Sequence, residues 1–416
     1  MKGGGMGSNW LESMAGALRR WPGVLDPATL VARAVRRTGL SDFGDPPLDP
    51  ALEILARSLE NEADLHPVGR FLVSSHLTEL LTLRLRLIEA WKRAPDAITA
   101  ARISRPLVIT GMPRSGSTLL HELLAADCGN RAPLVWEVMD PVAPPGARIG
   151  SDPRMRRAAR RLWWFRQLAP DADAVHPFRA DSPQECEAIH SYTFQSEEFL
   201  SVYSVPSYEA WLRTADFGPV YAWQKRFLQH LQGEGPALRW VLKSPDHAHS
   251  LAAMFQVFPD AVIVQTHREP ADVLASSLQL VEVLHKTFAY SRGREDRARR
   301  EARVLADAAL RLLRFRESHP ELAGRFADVK YSEFIADPLS TVERIYDHWG
   351  VDLDPAAIEA MRALLARRSR YSPRRNPSDF SEVHEDLGAE LHRFDPYCDR
   401  FGFRAQRREA SPPLGS

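Results

Sequence analysis

The sequence predicts an α/β fold in which helices cover a parallel sheet, and three observations carry that prediction. Short apolar runs bounded by turn residues recur at positions 106–110, 238–242 and 261–266. The segments between these runs place apolar residues at helical spacing. The first run enters a helix through a glycine-containing turn, Gly111-Met112-Pro113-Arg114-Ser115-Gly116-Ser117-Thr118. Strands that read as nearly continuous apolar runs, alternating with helices, are those of a parallel sheet buried on both faces.

The chain opens on a Gly-rich stretch, residues 1–8, and ends on a polar tail, 407–416; both are expected to be disordered. Between them, residues 9–100 read as a helical N-terminal segment packed on the α/β domain. Leu30, Val31, Ala34 and Val35, then Leu52, Ile54, Leu55 and Leu59, then Leu77, Leu80, Leu81, Leu85 and Ile88 recur at helical spacing. Asp45-Pro46-Pro47 separates the first two groups, His66-Pro67 precedes the third and Pro95-Asp96 closes it. Residues 101–406 form the α/β domain. Its first strand, 106–110, runs into the turn and a helix from Thr118; the second, 238–242, runs into Lys243-Ser244-Pro245. The third, 261–266, precedes a helix from Pro270, a residue favoured at the first helical position, and residues 326–331 make a fourth. The arginine-rich stretches 154–161 and 296–315 read as solvated amphipathic helices rather than nucleic-acid grips.

Composition excludes several classes. The 416 residues carry 54 Lys plus Arg and 54 Asp plus Glu, so no net field marks a nucleic-acid partner. Three scattered cysteines, Cys128, Cys186 and Cys398, make no disulfide framework and fit a reducing compartment. The first residues lack the apolar core of a secretory signal, and no apolar stretch is long enough to span a membrane. A cytoplasmic protein is expected. His384-Glu385 opens like a zinc-protease helix, but His392 comes eight residues later, which breaks the required spacing.

The turn at 111–118 is an anion cradle. Loop N–H groups point inward, and the helix after it adds about half a positive charge at its N-terminus. Arg114 adds a fixed charge; Ser115, Ser117 and Thr118 add hydroxyls, and Gly111 and Gly116 permit the tight backbone. A nucleotide-hydrolysing loop reads GxxxxGK[ST]; here the spacing is kept but Ser117 replaces the lysine. Such enzymes also place a Mg²⁺-binding carboxylate at the end of another strand, where this chain has Thr266-His267-Arg268. Arginine there attracts a second anion and repels a metal.

These residues resemble the sulfotransferases that use 3′-phosphoadenosine-5′-phosphosulfate (PAPS), especially the bacterial branch and the tyrosylprotein type. Pro113-Arg114-Ser115-Gly116-Ser117-Thr118 is similar to that family's 5′-phosphosulfate loop, PRSGT or PKSGT. Arg268-Glu269-Pro270-Ala271-Asp272-Val273-Leu274-Ala275-Ser276 is similar to its 3′-phosphate motif, with Arg268 and Ser276 eight residues apart. Leu242-Lys243-Ser244-Pro245 is similar to the segment whose lysine reaches the sulfuryl group. The resemblance implies a P-loop-like α/β fold, PAPS as donor, 3′-phosphoadenosine-5′-phosphate (PAP) as product, no metal, and a hydroxyl or amine acceptor on a small molecule, lipid or glycan. It assigns Arg114, Ser115, Gly116, Ser117 and Thr118 to one end of the donor and Arg268 and Ser276 to the other. Arg114 and Lys243 are then the cations that stabilise the leaving phosphate.

For the base that takes the acceptor proton, Glu137 leads, because a short turn after the loop helix returns it toward the cradle, as in the tyrosylprotein type. Glu185 and Glu187 are its rivals; within a helix they would point to different faces. His247 and His249 come after Lys243, but the cytosolic family places its histidine two residues after the lysine, where Pro245 stands. His190 reads as structural. Tyr331 and Arg374 or Arg375 are candidates for the adenine. Tyr192, Phe194, Tyr203, Tyr208 and Trp211 either line the acceptor cleft or fill core. Two further readings remain: a P-loop kinase or NTPase, which the missing lysine disfavours, and a non-catalytic nucleotide-binding protein, which Lys243 and Glu137 together disfavour.

Overall fold

The computed structural model describes residues 25–144, 152–168, 179–233, 238–290, 294–371 and 388–403. The predicted disordered ends, 1–8 and 407–416, and Arg374 and Arg375 lie outside them. Five parallel strands, β1 (Leu107–Gly111), β2 (Asn130–Arg131), β3 (Arg239–Lys243), β4 (Val262–His267) and β5 (Phe326–Lys330), form one sheet in the order β2-β3-β1-β4-β5. Four of them coincide with the predicted apolar runs. The fifth, β2, has two residues and no apolar run; pairing of Asn130 and Arg131 with Arg239 and Trp240 alone makes it a strand.

β1 lies between β3 and β4, with Leu107 in register with both Val241 and Val262. Successive side chains of a strand face opposite sides, and both sides are filled. Leu107 and Ile109 pack with Leu120, Leu123, Val264 and Ile345; Val108 packs on the other face with Trp240, Leu242 and Ile263.

In the N-terminal segment, α1 (Pro27–Thr38), α2 (Ala51–Asn61) and α3 (Pro67–Arg93) occupy the three predicted periodic stretches. Asp26 caps α1 by accepting the Thr29 N–H at 2.8 Å, and His66 Nδ1 caps α3 by accepting that of Gly69 at 2.8 Å. Arg84 of α3, fully buried, pins this segment to the domain. Its guanidinium donates to the carbonyls of Phe43 (2.8 Å), Tyr192 (2.9 Å), Gly44 (3.0 Å) and Pro46, and its carbon lies 4.8 Å from the Trp223 ring centre. Those carbonyls replace water around a buried cation; burial nonetheless lowers its pKa to about 10.

The helices that build the site come in order along the chain. α4 (Ser117–Ala125) leaves the loop, and α5 (Val135–Met139) and α6 (Pro153–Leu168) come after it. α7 (Cys186–His190) and α8 (Gly218–Gln232) precede β3; α9 (Pro270–Phe288) and α10 (Arg294–Ser318) pair after β4; α11 (Tyr331–Ala336) leaves β5. Among the described residues no helix is long and apolar enough to cross a membrane.

Candidate active site

The loop's shape is set by three positive-φ residues at the end of β1. Gly111 sits at φ 125°, where a Cβ would stand 2.3 Å from the Thr266 carbonyl oxygen. Gly116 sits at φ 84°, and a Cβ there would press the rings of Tyr331 (3.1 Å) and Phe334 (3.2 Å). Only glycine fits both positions. Arg114 adopts φ 61° between them, a left-handed conformation disfavoured for a side-chain-bearing residue. Ser115 is buried, its hydroxyl donating to the Met112 carbonyl at 2.5 Å and lying 2.6 Å from Thr266 Oγ1. That hydroxyl braces the loop against β4, which leaves the Ser115 N–H as its offer to an anion.

The two predicted anion sites converge. Arg114 Nε donates to Ser276 Oγ at 2.9 Å, and Arg268 Nη1 donates to the Arg114 carbonyl at 2.8 Å. The Arg268 guanidinium lies 4.4 Å from the Tyr331 ring centre, and Asp272 accepts from it at 3.4 Å. Its Nε is buried without a hydrogen-bond partner among the described residues. Arg114 therefore stands on the Arg268 and Ser276 side of the cradle.

At the opposite end the buried Lys243, the last residue of β3, lies 3.5 Å from Thr118 Oγ1 and forms an ion pair with Glu185. Under it, His121 is pushed down to about 4 by burial and by the Lys243 charge. Glu185 and Glu187 both line the cavity beside the loop. They are not separated onto two helix faces, because Glu185 is the extended residue before α7 (φ −74°, ψ 150°) and Glu187 lies inside it. Burial and the neighbouring Asp246 raise the Glu187 carboxyl well above the usual range.

Glu137 is not among the cavity-lining residues. One of its oxygens accepts the Leu134 N–H at 3.0 Å and the other accepts from Arg131 at 3.0 Å, so the carboxylate caps α5. The turn it holds supports the segment carrying Glu185: Val135 N–H donates to Ser182 O (2.9 Å), Trp136 N–H to Ala180 O (3.0 Å) and Gln184 N–H to Pro133 O (2.7 Å). His247 is buried against the Tyr221 hydroxyl (2.7 Å) and His190 against Gln224 (2.8 Å). His249 does line the cavity, with Nε2 3.8 Å from Glu197.

The cavity has a volume of about 1550 Å³. The loop, Lys243, Arg268, Ser276 and Tyr331 line it, and so do the apolar Leu72 of α3, Leu200 and Tyr203, Leu280, Leu284 and Phe288 of α9, and Val304 and Leu305 of α10, with Arg297, Arg300 and Glu301 among them. Of the five aromatics considered for the acceptor, Tyr203 both lines the cavity and belongs to the core, while Tyr192, Phe194 and Tyr208 fill core and Trp211 packs against it. Also in the lining, Arg213 pairs with Glu197 at 2.7 Å and Arg300 with Glu209. Burial raises Glu197 to about 8 and Glu301 to about 7. No local motif marks these residues, because helix packing alone assembles them.

A family model described as the sulfotransferase family matches residues 106–355, more than half of the chain. The chain belongs to the sulfotransferase family. Among solved structures, sulfotransferase STF1 from Mycobacterium tuberculosis H37Rv aligns with a TM-score of 0.74 at 30% identity, over 87% of this chain and 98% of that one. Sulfotransferase STF9 from Mycobacterium avium aligns with a TM-score of 0.81 at 26% identity, over 92% and 98%. A mycobacterial relative named omega-hydroxy-beta-dihydromenaquinone-9 sulfotransferase Stf3, from Mycobacterium tuberculosis (strain CDC 1551 / Oshkosh), is 23% identical over 285 residues, 64% of this chain and 68% of that protein. The predicted P-loop-like α/β fold is the fold of these sulfotransferases, and the chain is a sulfuryl-transferring enzyme. The kinase and scaffold readings give way to the family match.

Proposed function

We propose that this sulfotransferase moves the sulfuryl group of PAPS onto a hydroxyl at the end of a long apolar acceptor, with Glu185 as base. The observation that carries the proposal is the Lys243–Glu185 ion pair, set beside Thr118 of the loop within the cavity.

The residues present suit a donor with two anionic ends. The N–H groups of the loop and the N-terminus of α4 would hold the 5′ end, with Lys243 and Thr118 at the transferred group. Arg268, whose buried Nε lacks a partner among the described residues, would hold the 3′-phosphate with Ser276 and Arg114. The Tyr331 ring stacked on Arg268 offers a flat apolar face to the adenine. The bound donor supplies an activated sulfuryl group and a phosphate leaving group; no metal enters this reading, since Arg268 stands where a metal-binding carboxylate would.

The chain's own chemistry is a change of partners. An anion in the loop competes with Glu185 for the Lys243 ammonium, which lies within one hydrogen bond of both Glu185 and Thr118. The freed carboxylate takes the acceptor's hydroxyl proton as the oxygen–sulfur bond forms, and Lys243 stabilises the charge left on phosphate as the old bond breaks. Burial and Asp246 raise the Glu187 carboxyl, which disfavours a second negative charge beside Glu185. The apolar side chains in the lining, Leu72, Leu200, Leu280, Leu284, Phe288 and Val304, suggest the acceptor class. The relative Stf3 is named for omega-hydroxy-beta-dihydromenaquinone-9; the acceptor class proposed for this chain is broader, a hydroxyl on an apolar chain. The scattered free cysteines support the reducing cytoplasm as the compartment.

Two measurements test the reading. Calorimetry should show tight binding of PAP without metal and weak binding of ATP·Mg²⁺; the reverse order sinks the donor assignment. Radiolabelled sulfur from PAPS should pass to long-chain primary alcohols far faster than to short ones, and equal rates would remove the apolar acceptor.

A further inference from the structure

The composition and the position of α6 both depart from those of a merely solvated helix. Its sequence holds six arginines and no acidic residue. Arg156, Arg160, Trp163 and Gln167 recur at i, i+4, i+7 and i+11, which places them on one outward stripe. Trp163 and Trp164 are 49% and 59% exposed, and their rings meet edge to face at 4.7 Å. A hydrophobic residue that large is normally covered. Arg154 pairs with Asp152, Arg157 with Asp140 and Arg161 with Glu79, whereas Arg156 and Arg160 have no acidic partner among the described residues.

Trp164, exposed and in ring contact with Trp163 of the stripe, lines the cavity. Glu79 of α3 is bridged by Arg161 (3.3 Å) and by Arg37 of α1 (3.9 Å), so three helices meet there. Arg37, Leu72, Arg161 and Trp164 all line the cavity, and Phe71, 45% exposed, projects from α3 beside Leu72. Arginine and tryptophan interleaved on one helix face match the headgroup level of a bilayer, where a cation meets lipid phosphate while an indole ring sits at the water–hydrocarbon boundary. Six arginines with no acidic residue give this helix a one-sign charge that an anionic lipid surface matches without a shaped partner.

We propose that the outer face of α6, with the adjoining ends of α1 and α3, docks on an anionic membrane surface and sets the cavity mouth against the lipid from which the acceptor is drawn. The proposal extends the apolar-acceptor reading. Each cation at an anionic surface strengthens binding about fivefold, so Arg156 and Arg160 together account for about 25-fold.

The test is co-sedimentation of the full chain with vesicles of phosphatidylcholine alone and of a phosphatidylcholine–phosphatidylglycerol mixture, with neither donor nor acceptor present. The chain should partition onto the mixed vesicles and not the neutral ones, and high salt should release it. The double variant R156Q/R160Q should lose about 25-fold in partitioning and W163S several-fold, with unchanged unfolding midpoints. Absence of binding to mixed vesicles, or wild-type binding by both variants, overturns the proposal. So does a dimer of the wild type that these substitutions break, which would assign the face to a second copy. Vesicle binding without sulfation of any apolar alcohol would instead remove the acceptor reading and leave docking standing.

Discussion

Replacing Arg268 by alanine separates the two ends of the proposed donor site. The guanidinium has five N–H groups, and in this structure one donates to the Arg114 carbonyl and one, weakly, to Asp272. The remainder, including the buried and unpartnered Nε, can make a bidentate contact with phosphate. A charge-assisted hydrogen bond contributes about 1.5–3 kcal/mol, so two of them at a mostly buried site contribute at least about 3 kcal/mol. That is a loss of about 150-fold in affinity. The assay is calorimetry of wild type and Arg268→Ala with PAP and with adenosine 5′-monophosphate, which lacks the 3′-phosphate. PAP affinity should fall by about 150-fold or more, while the monophosphate should lose under about tenfold, the share due to the unbraced Arg114 carbonyl. Equal losses for both ligands would refute the assignment and leave Arg268 as a brace of the loop.

Glu185→Gln keeps the shape of the side chain and removes its basicity; turnover should drop by about 10²–10⁴-fold while PAP affinity changes little. Glu137→Gln should retain turnover and lower the unfolding midpoint through the lost Arg131 pair; loss of turnover at full stability would return the role of base to Glu137. Gly111→Ala should destabilise the fold by several kcal/mol, since its Cβ would lie 2.3 Å from a backbone oxygen, and a wild-type denaturation curve would contradict the loop geometry. Acid should weaken the fold through histidines buried as neutral rings. Burial holds His121 and His190 at about 4, below the unfolded 6.5, so their stability is fully present above pH 6.5 and is lost as pH falls toward 4. At pH 5 each costs about 2 kcal/mol. Glu197 and Glu301, raised by burial, act in the opposite direction over this range, so the comparison decides: from pH 7.5 to 5 the denaturant midpoint of His190→Gln should rise relative to that of the wild type, and parallel profiles would show that this ring is solvated.

Much of the site was legible locally. β1, the loop and α4 occupy consecutive residues, so the strand signal, the two glycines and the hydroxyls record one continuous piece of geometry. Arg268 and Ser276 likewise share a strand end and a single helix. Glu185 was less legible than Glu137, because the carboxylate that reaches the site is chosen by how residues 180–184 lie along residues 133–136. Both segments carry plausible glutamates; only their pairing shows one capping a helix and the other facing Lys243. Ser115 teaches the same point on a smaller scale, since its hydroxyl turns inward to Met112 and Thr266.

By itself the amino-acid order determined the parallel α/β architecture, the anion loop without a Walker lysine, and the second anion motif at Arg268. The strand runs, the loop and the Arg268 motif each depend on residues within about two helical turns of one another, where chain geometry admits few arrangements. The tertiary structure alone decided that Arg114 meets Ser276, that Glu185 meets Lys243, and that α3, α9 and α10 line one cavity with the loop. These contacts join residues 58 to 162 positions apart, and at such separations packing of the core, which no short segment records, selects which side chains meet.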